Sequence, residues 1–429
     1  MKENRFEREG VVNEHQRRVV ITGLGPVTPV GIGKEIFWES LLEGRSAYKT
    51  ISFPGRDMQS YRCRIAAPIE GFDFYRYLER TKHSKYLGKT SQFTIVAAYL
   101  ALKDAGLEVV KGEEEKGEDP DRSGLYRIKG IDPFRVGVIL GVGVEAMDMS
   151  AVTSHVSQWF TIRGASYAVS TACASATHAM INSFLQIQRG HEDLMLTGGA
   201  DACITPYVFA GFDVLRAMSA RNHEPHKACR PFDRERDGFV MGEGAGILIF
   251  EEMDHALARG APIYGEVMGF GLTADAHHLT EPDPEGKALQ IAIRQALEMG
   301  RVSIREIDYI NPHGTSTVLN DRVETRVIRE VFGEQAYRIP ISSTKSITGH
   351  MMGAAGAVEA MAVLLAIEKR KVHPTINCEV FDPECDLDYV PGKARDKEVR
   401  WGLSVSAGFG GVNSVILLKR FEPTHRPRP

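Results

Sequence analysis

Short apolar runs rich in β-branched residues alternate along the chain with longer stretches whose apolar positions recur at helical spacing. Arg17–Gly25 (RRVVITGLG) ends in glycines and predicts a buried strand. Gly33–Glu43 places Ile36, Phe37, Leu41 and Leu42 on one side and predicts a helix. Gln92–Ala105 predicts a second helix, closed by Gly106. Next come a strand at Val136–Val144, a helix of small residues at Cys173–Ile187, strands at Leu194–Gly199 and Gly244–Phe250, and a helix at Glu251–Arg259. The second half repeats the alternation. It predicts the strand Ile263–Val267, the helix Gly286–Met299, the strand Ile307–Ile310 and the helix Asp321–Phe332. The strand Ile339–Ser343, a glycine-rich helix at Gly353–Lys369 and a last strand at Asn413–Leu418 complete it. The expectation is an α/β protein of two similar halves, residues 1–262 and 263–429, packed together.

Composition narrows the class. With 43% hydrophobic and 25% charged residues over 429 positions, disorder throughout and a disulfide-dependent scaffold are excluded. The net charge of −4 leaves no global basic field to recruit nucleic acid. The charged opening, MKENRFEREGVVNEHQRR, does not read as a signal peptide. The apolar runs are far shorter than the ~20 residues of a membrane span. Cys63, Cys173, Cys203, Cys229, Cys378 and Cys385 are scattered without CxxC pairing or Cys/His ligand spacing, so neither a metal site nor a disulfide framework is expected. A cytoplasmic protein is expected. Lys111–Asp132, rich in Glu, Lys, Gly and Asp, reads as an exposed, mobile loop.

Three clusters carry candidate chemistry. In VSTACASATHAM (Val169–Met180), Cys173 begins a helix of small residues, where the macrodipole and free N–H groups favour a thiolate. The alternative is a small buried hydrophobe, and His178 faces away in either case. In YINPHGTSTV (Tyr309–Val318), His313 follows a strand end, where side chains face a crevice, and Thr315, Ser316 and Thr317 add hydroxyls. A helix-capping turn with an incidental histidine is the alternative. In SSTKSITGHMMGAAGAVE (Ser342–Glu359), Lys345 and His350 lead into a helix small enough for close backbone approach. A solvated lysine and a core histidine would fit equally. A fourth turn, AGFGGVN (Ala407–Asn413), sets Phe409 between glycines as a gate or an apolar plug.

Taken together, these segments resemble the β-ketoacyl-acyl carrier protein synthases, the type II condensing enzymes. The likeness runs from VVITGLGPVTPVG at Val19 through CRPFDRERDGFVMGEGAG, ADAHHLTEP, NPHGTST and CDLDYVP to GFGGVN. It implies a thiolase-type fold in five αβαβα layers, with two pseudo-duplicated halves, and a homodimer. It also implies roles: Cys173 as the acyl-accepting nucleophile, His313 and His350 as the catalytic pair, and Lys345 as their support. Phe409 is the implied gate, its N–H forming an oxyanion hole with that of Cys173. Thr315, Thr317, His278 and Thr280 match positions along the phosphopantetheine arm, and Glu359 a buried polar network. The implied reaction is decarboxylative condensation of an acyl group with malonyl-acyl carrier protein. It needs no metal and no resident cofactor, since the arm arrives on the carrier protein.

Three departures from that family qualify the resemblance. The stretch between Val142 and Cys173 is short, Lys111–Asp132 is inserted, and Ala407 and Val405 replace a phenylalanine and an asparagine ahead of the gate. They point to non-standard acyl specificity. A polyketide-type ketosynthase and a non-condensing chain-length-factor-like subunit are the alternatives. Arg80, Lys82, Lys85 and Lys89 form a candidate landing patch for an acidic carrier protein.

Overall fold

The computed structural model describes residues 17–112, 125–144 and 149–423. Strand β1 (Val19–Thr28) is buried at every position, as a strand covered on both faces must be. It anchors five strands: β1, β2 (Val136–Gly141), β3 (Ser166–Val169), β4 (Leu194–Asp201) and β5 (Gly244–Glu252). They lie in the order β3-β2-β4-β5-β1. The β2–β3 and β2–β4 pairs are parallel, and β4–β5 and β5–β1 antiparallel.

The second half adds β6 (Gly265–Ala274), β7 (Tyr309–Asn311), β8 (Trp401–Gly408) and β9 (Val412–Lys419). Their order is β7-β8-β9-β6, with a bridge from Ile310 to Ile341 outside β7. Counting Ile341 as the third strand position, both halves have the order 3-2-4-5-1 with the same parallel and antiparallel pairs. The predicted duplication is therefore in the topology. The halves join where Val20 and Ile21 of β1 pair with Glu266 and Gly265 of β6.

Helices complete five layers. α2 (Lys89–Asp104) and α3 (Met149–Phe160) cover the outer face of the first half, and α7 (Lys287–Met299) and α8 (Val318–Phe332) that of the second. α1 (Lys34–Glu43) packs on β1, and α6 (Met253–Ala258) on β1 and β5. Between the sheets lie α4 (Ser175–Gln188) and α10 (Ala355–Lys369). The central layer is built of small residues: Ala176 and Ala179 share an apolar cluster with Ala357 and Val358. A Cβ at Gly356 would collide with the Thr177 hydroxyl, so this glycine sets how closely α10 approaches α4.

Several predicted elements differ in extent or kind. Ile339–Ser343 is a single bridge and not a strand, because Ile341 N–H donates to Asp388 O and the chain turns at once into the four-residue helix α9 (Lys345–Thr348). β3, α3, α5 (Pro206–Val214) and β8 were not predicted; β3 is half-exposed, so no apolar run marks it. Lys111–Asp132 is not wholly loop: Val109–Lys111 pairs antiparallel with Tyr126–Ile128, and residues 113–124 lie outside the described residues. Residues 145–148 of the shortened segment do too.

Candidate active site

The third strand position of each half leads into the central layer, and the two turns there face one another. After β3, Thr171–Ala172–Cys173 forms a tight elbow before α4. Ala172 takes a left-handed φ of 49°, held because Ser175 Oγ accepts from Thr171 N–H (2.9 Å) and donates to Ala172 O (2.6 Å). Gly408 packs against this elbow; a Cβ there would lie 2.8 Å from Thr171 O. Cys173 is 8% exposed. Burial pushes its thiol up to about 11, outweighing the Lys345 charge and the Phe409 N–H bond that act the other way. The helix N-terminus therefore does not by itself make a resting thiolate, contrary to the sequence-based expectation.

After Ile341, Lys345 opens α9 and His350 follows it. The Lys345 ammonium bonds to Glu359 Oε1, to His313 O (2.6 Å) and to His313 Nδ1 (3.3 Å). Both members of the Lys345–Glu359 pair are about 1% exposed. His350 Nδ1 accepts from Met352 N–H at 3.2 Å. With each Nδ1 accepting, the tautomers assigned by these partners put the proton of both imidazoles on Nε2. Burial, then the charge of Lys345, holds both histidines well below 6.5, so they are neutral at pH 7. A ring nitrogen of each lies with Cys173 Sγ inside a group spanning 4.8 Å. Cysteine and two imidazoles can also ligate a metal, but the buried ammonium beside them opposes a second cation.

Two carboxylates that the sequence reading did not single out hold the His313 turn. Glu324 accepts the N–H groups of His313 (2.6 Å) and Gly314 (2.8 Å), and burial pushes it up to about 7. Asp321 accepts from Ser316 N–H (3.2 Å) and Phe232 N–H (2.8 Å). Asp201 joins the halves, taking N–H bonds from Gly143 (3.0 Å) and Gly353 (2.6 Å). The only signal for Asp321 and Glu324 was their place on the buried face of α8, beside Thr325 and Ile328.

A cavity of about 320 Å³ reaches Cys173, His313 and His350. Phe409 and Ala407 line it, as do Thr315, Thr317 and Thr280. Phe409 sits at the tip of the β8–β9 hairpin, its ring 6.2 Å from Phe212 of α5, and Gly410 N–H donates to Leu279 O (2.7 Å). His278 does not line the cavity; it is exposed, and its Nδ1 accepts the N–H groups of Thr280 and Glu281 at 3.2 Å each. Arg216 and Asn320 line it without having been singled out. His178 bonds to Thr171 Oγ1 (3.2 Å) and Ala174 O (3.1 Å), a structural role. Lys89 starts α2 and is paired with buried Glu243 at 2.5 Å, so it is not a free member of a basic patch.

Residues 16–256 match the family described as β-ketoacyl synthase, N-terminal domain, and residues 264–379 its C-terminal domain. The 3-oxoacyl-[acyl-carrier-protein] synthase 2 of Synechocystis sp. is 39% identical, covering 96% of this chain and 100% of the relative. That of Staphylococcus aureus is 39% identical over 95% and 99%. A β-ketoacyl synthase structure from Burkholderia phymatum superimposes with a TM-score of 0.82 at 34% identity, covering 95% of this chain and all of that one. A ketosynthase solved with its type II polyketide acyl-carrier protein gives 0.81 at 32% identity, over 95% and 100%. No helix among the described residues is long and apolar enough to cross a membrane.

Proposed function

The chain belongs to the β-ketoacyl synthase family, and we propose that it condenses an acyl group held on Cys173 with malonyl-acyl carrier protein, giving a 3-oxoacyl thioester two carbons longer. The observation that carries this reading is the convergence of one thiol and two neutral, Nε2-protonated histidines at the end of one cavity.

Acylation comes first. Cys173 sulfur attacks the carrier-bound thioester, and its proton leaves on the departing arm thiol. Charge develops on the thioester oxygen, and the N–H groups of Phe409 and Cys173 are the donors for it; among the described residues the Cys173 N–H meets no other acceptor. One such donor is worth roughly 10²–10³ in rate. Malonyl thioester then enters. Its C–C bond breaks, carbon dioxide leaves, and the electron pair passes into an enolate. Two neutral imidazole N–H donors stabilise that oxygen without quenching the carbanion, which attacks the acyl carbon and expels the Cys173 thiolate; a proton taken from water then restores the thiol. Lys345 keeps His313 in the donor tautomer and Met352 N–H does so for His350, a division of labour that needs no base.

The edge of β3 is unpaired within the described chain, which supports homodimerisation through that edge. Arg80, Lys82 and Lys85, around exposed Tyr86, are the candidate carrier contact. Six free cysteines fit a cytoplasmic, reducing setting. Ala407 on the cavity wall, where the family's phenylalanine would fill space, favours bulky acyl groups, including polyketide-type ones, as the second reading. An intact Cys173–His313–His350 group argues against a non-condensing subunit. The test is incubation with a panel of acyl-carrier proteins plus malonyl-carrier protein, read by intact mass. The expected result is an adduct on the protein, absent in Cys173→Ala, and a product longer by two carbons. No adduct across the panel would overturn the reading.

A further inference from the structure

Asn320 stands in the first turn of α8 and lines the cavity beside Thr315 and Thr317. Its amide nitrogen lies 3.1 Å from Asp321 Oδ1 and 3.4 Å from Glu324 Oε2. Both carboxylates already accept backbone N–H groups: Ser316 and Phe232 on Asp321, His313 and Gly314 on Glu324. Only the NH₂ end of the amide can face two acceptors, so the side chain is fixed with its carbonyl oxygen turned away from them. That oxygen accepts nothing among the described residues, and it is not a buried atom without a partner. The neighbouring wall differs. Asp237 is bonded to Ser219 Oγ (2.5 Å) and Ala220 N–H (2.9 Å), and Asp275 to Asn413 Nδ2 (2.6 Å) and Asp283 N–H (3.1 Å). The Thr315 and Thr317 hydroxyls are bonded to one another at 2.8 Å, leaving one O–H to donate outward. A hydroxyl donor and a pre-oriented amide acceptor lining the same cavity match the C=O and N–H of a secondary amide.

We propose that Asn320 is a substrate-binding residue, whose side-chain carbonyl accepts an amide N–H of the pantetheine arm while its nitrogen stays bonded to the carboxylates that hold His313. This rests on the thioester-condensing reading. The contact joins arm binding to the catalytic turn: the same amide that meets the substrate bridges Asp321 and Glu324, and Glu324 fixes the His313 backbone.

The test uses the full chain and its Asn320→Ala and Asn320→Ser variants, with hexanoyl thioesters of pantetheine, of N-acetylcysteamine and of ethanethiol. The first two carry amides and the third has none. The rate constant for acylation of Cys173 is followed by intact mass. A loss of about tenfold on an amide-bearing thioester, with the ethyl thioester unchanged, is expected. Equal losses on all three would overturn the proposal, because a loss that does not depend on an amide reports a general change in the site and not a lost arm contact. No loss on any would overturn it as well. A wild-type protein that none of the three acylates, nor any acyl-carrier protein, sinks the condensing reading itself and the arm contact with it.

Discussion

The two halves share a strand order and pairing sense, yet their third strand positions deliver opposite chemistry to the central layer. In the first half the turn is made of small neutral residues and presents a thiol. In the second half the equivalent turn carries Lys345, paired with Glu359, and the neighbouring His313 turn is held by Asp321 and Glu324; all four are no more than 2% exposed. Burying charges is expensive unless each is paired and hydrogen-bonded: Lys345 pairs with Glu359 and Arg236 lies 3.7 Å from Asp321, whereas Glu324 has only N–H donors, and burial raises all three carboxyls. The contrast shows a division of tasks. The nucleophile needs a strained elbow and close packing, which alanine, serine and glycine supply. The histidines must stay neutral with the proton on a chosen nitrogen, and burial, the fixed Lys345 ammonium at His313 and the Met352 N–H at His350 do that.

Removing the ammonium should break the comparison most severely. Lys345→Met leaves Glu359 buried without its partner and frees His313 Nδ1, so a destabilisation of about 3–5 kcal/mol is expected, measured by denaturant unfolding. Decarboxylation of malonyl thioester should be lost at the same time, while a residual folded fraction is still acylated at Cys173. Retained decarboxylation would mean that Lys345 does not set the tautomer.

Next is the pH dependence of the buried turn. Glu324 is raised from 4.5 to about 7. The folded state therefore binds its proton more tightly than the unfolded one, and the stability contributed is fully present below 4.5 and lost as pH rises towards 7. At 1.36 kcal/mol per unit over 2.5 units the change is about 3 kcal/mol. The Glu324→Gln variant should flatten that slope in urea titrations between pH 4.5 and 7. In the first half, Asp193 has the reverse sign: the bond to Arg135 leads the causes that lower it to about 2, and its stability is lost only as pH falls through that range. A Glu324→Gln profile that parallels wild type would remove the buried turn from the account.

Smaller effects sharpen the picture at the cavity. Ala407→Phe should lower acylation by the bulkiest acyl thioesters by about tenfold and leave short straight chains unchanged; a uniform effect would mean the position does not set specificity. Lys85→Glu should raise the KM for carrier-bound substrate about threefold at low salt, an electrostatic contribution of well under 1.4 kcal/mol. It should not change acylation by a small thioester. Equal behaviour on both would move the landing patch elsewhere.

Much of this was legible in the sequence, for identifiable reasons. β1 and β5 announce themselves because burial on both faces demands unbroken apolar runs. Cys173, His313, Lys345 and His350 sit in glycine- and hydroxyl-rich turns between such runs, so their positions could be read locally. Glu324 and Asp321 could not, because an acidic residue in an amphipathic helix looks like a solvated face until tertiary packing buries it. The Cys173 thiol was misjudged for a related reason. The helix N-terminus is visible in the sequence, but the burial that outweighs it is not. His278 lies in a matching motif, yet its ring turns to its own loop, a matter of side-chain direction that spacing does not carry.

The contact of Gly356 with the Thr177 hydroxyl has a consequence for anyone recombining these proteins. The thiol belongs to one half and its two imidazole neighbours to the other, so their separation is set by a seam with no room for a methyl group. Chimeras that exchange halves between relatives will keep each fold and still misplace the chemistry, unless both faces of that seam travel together.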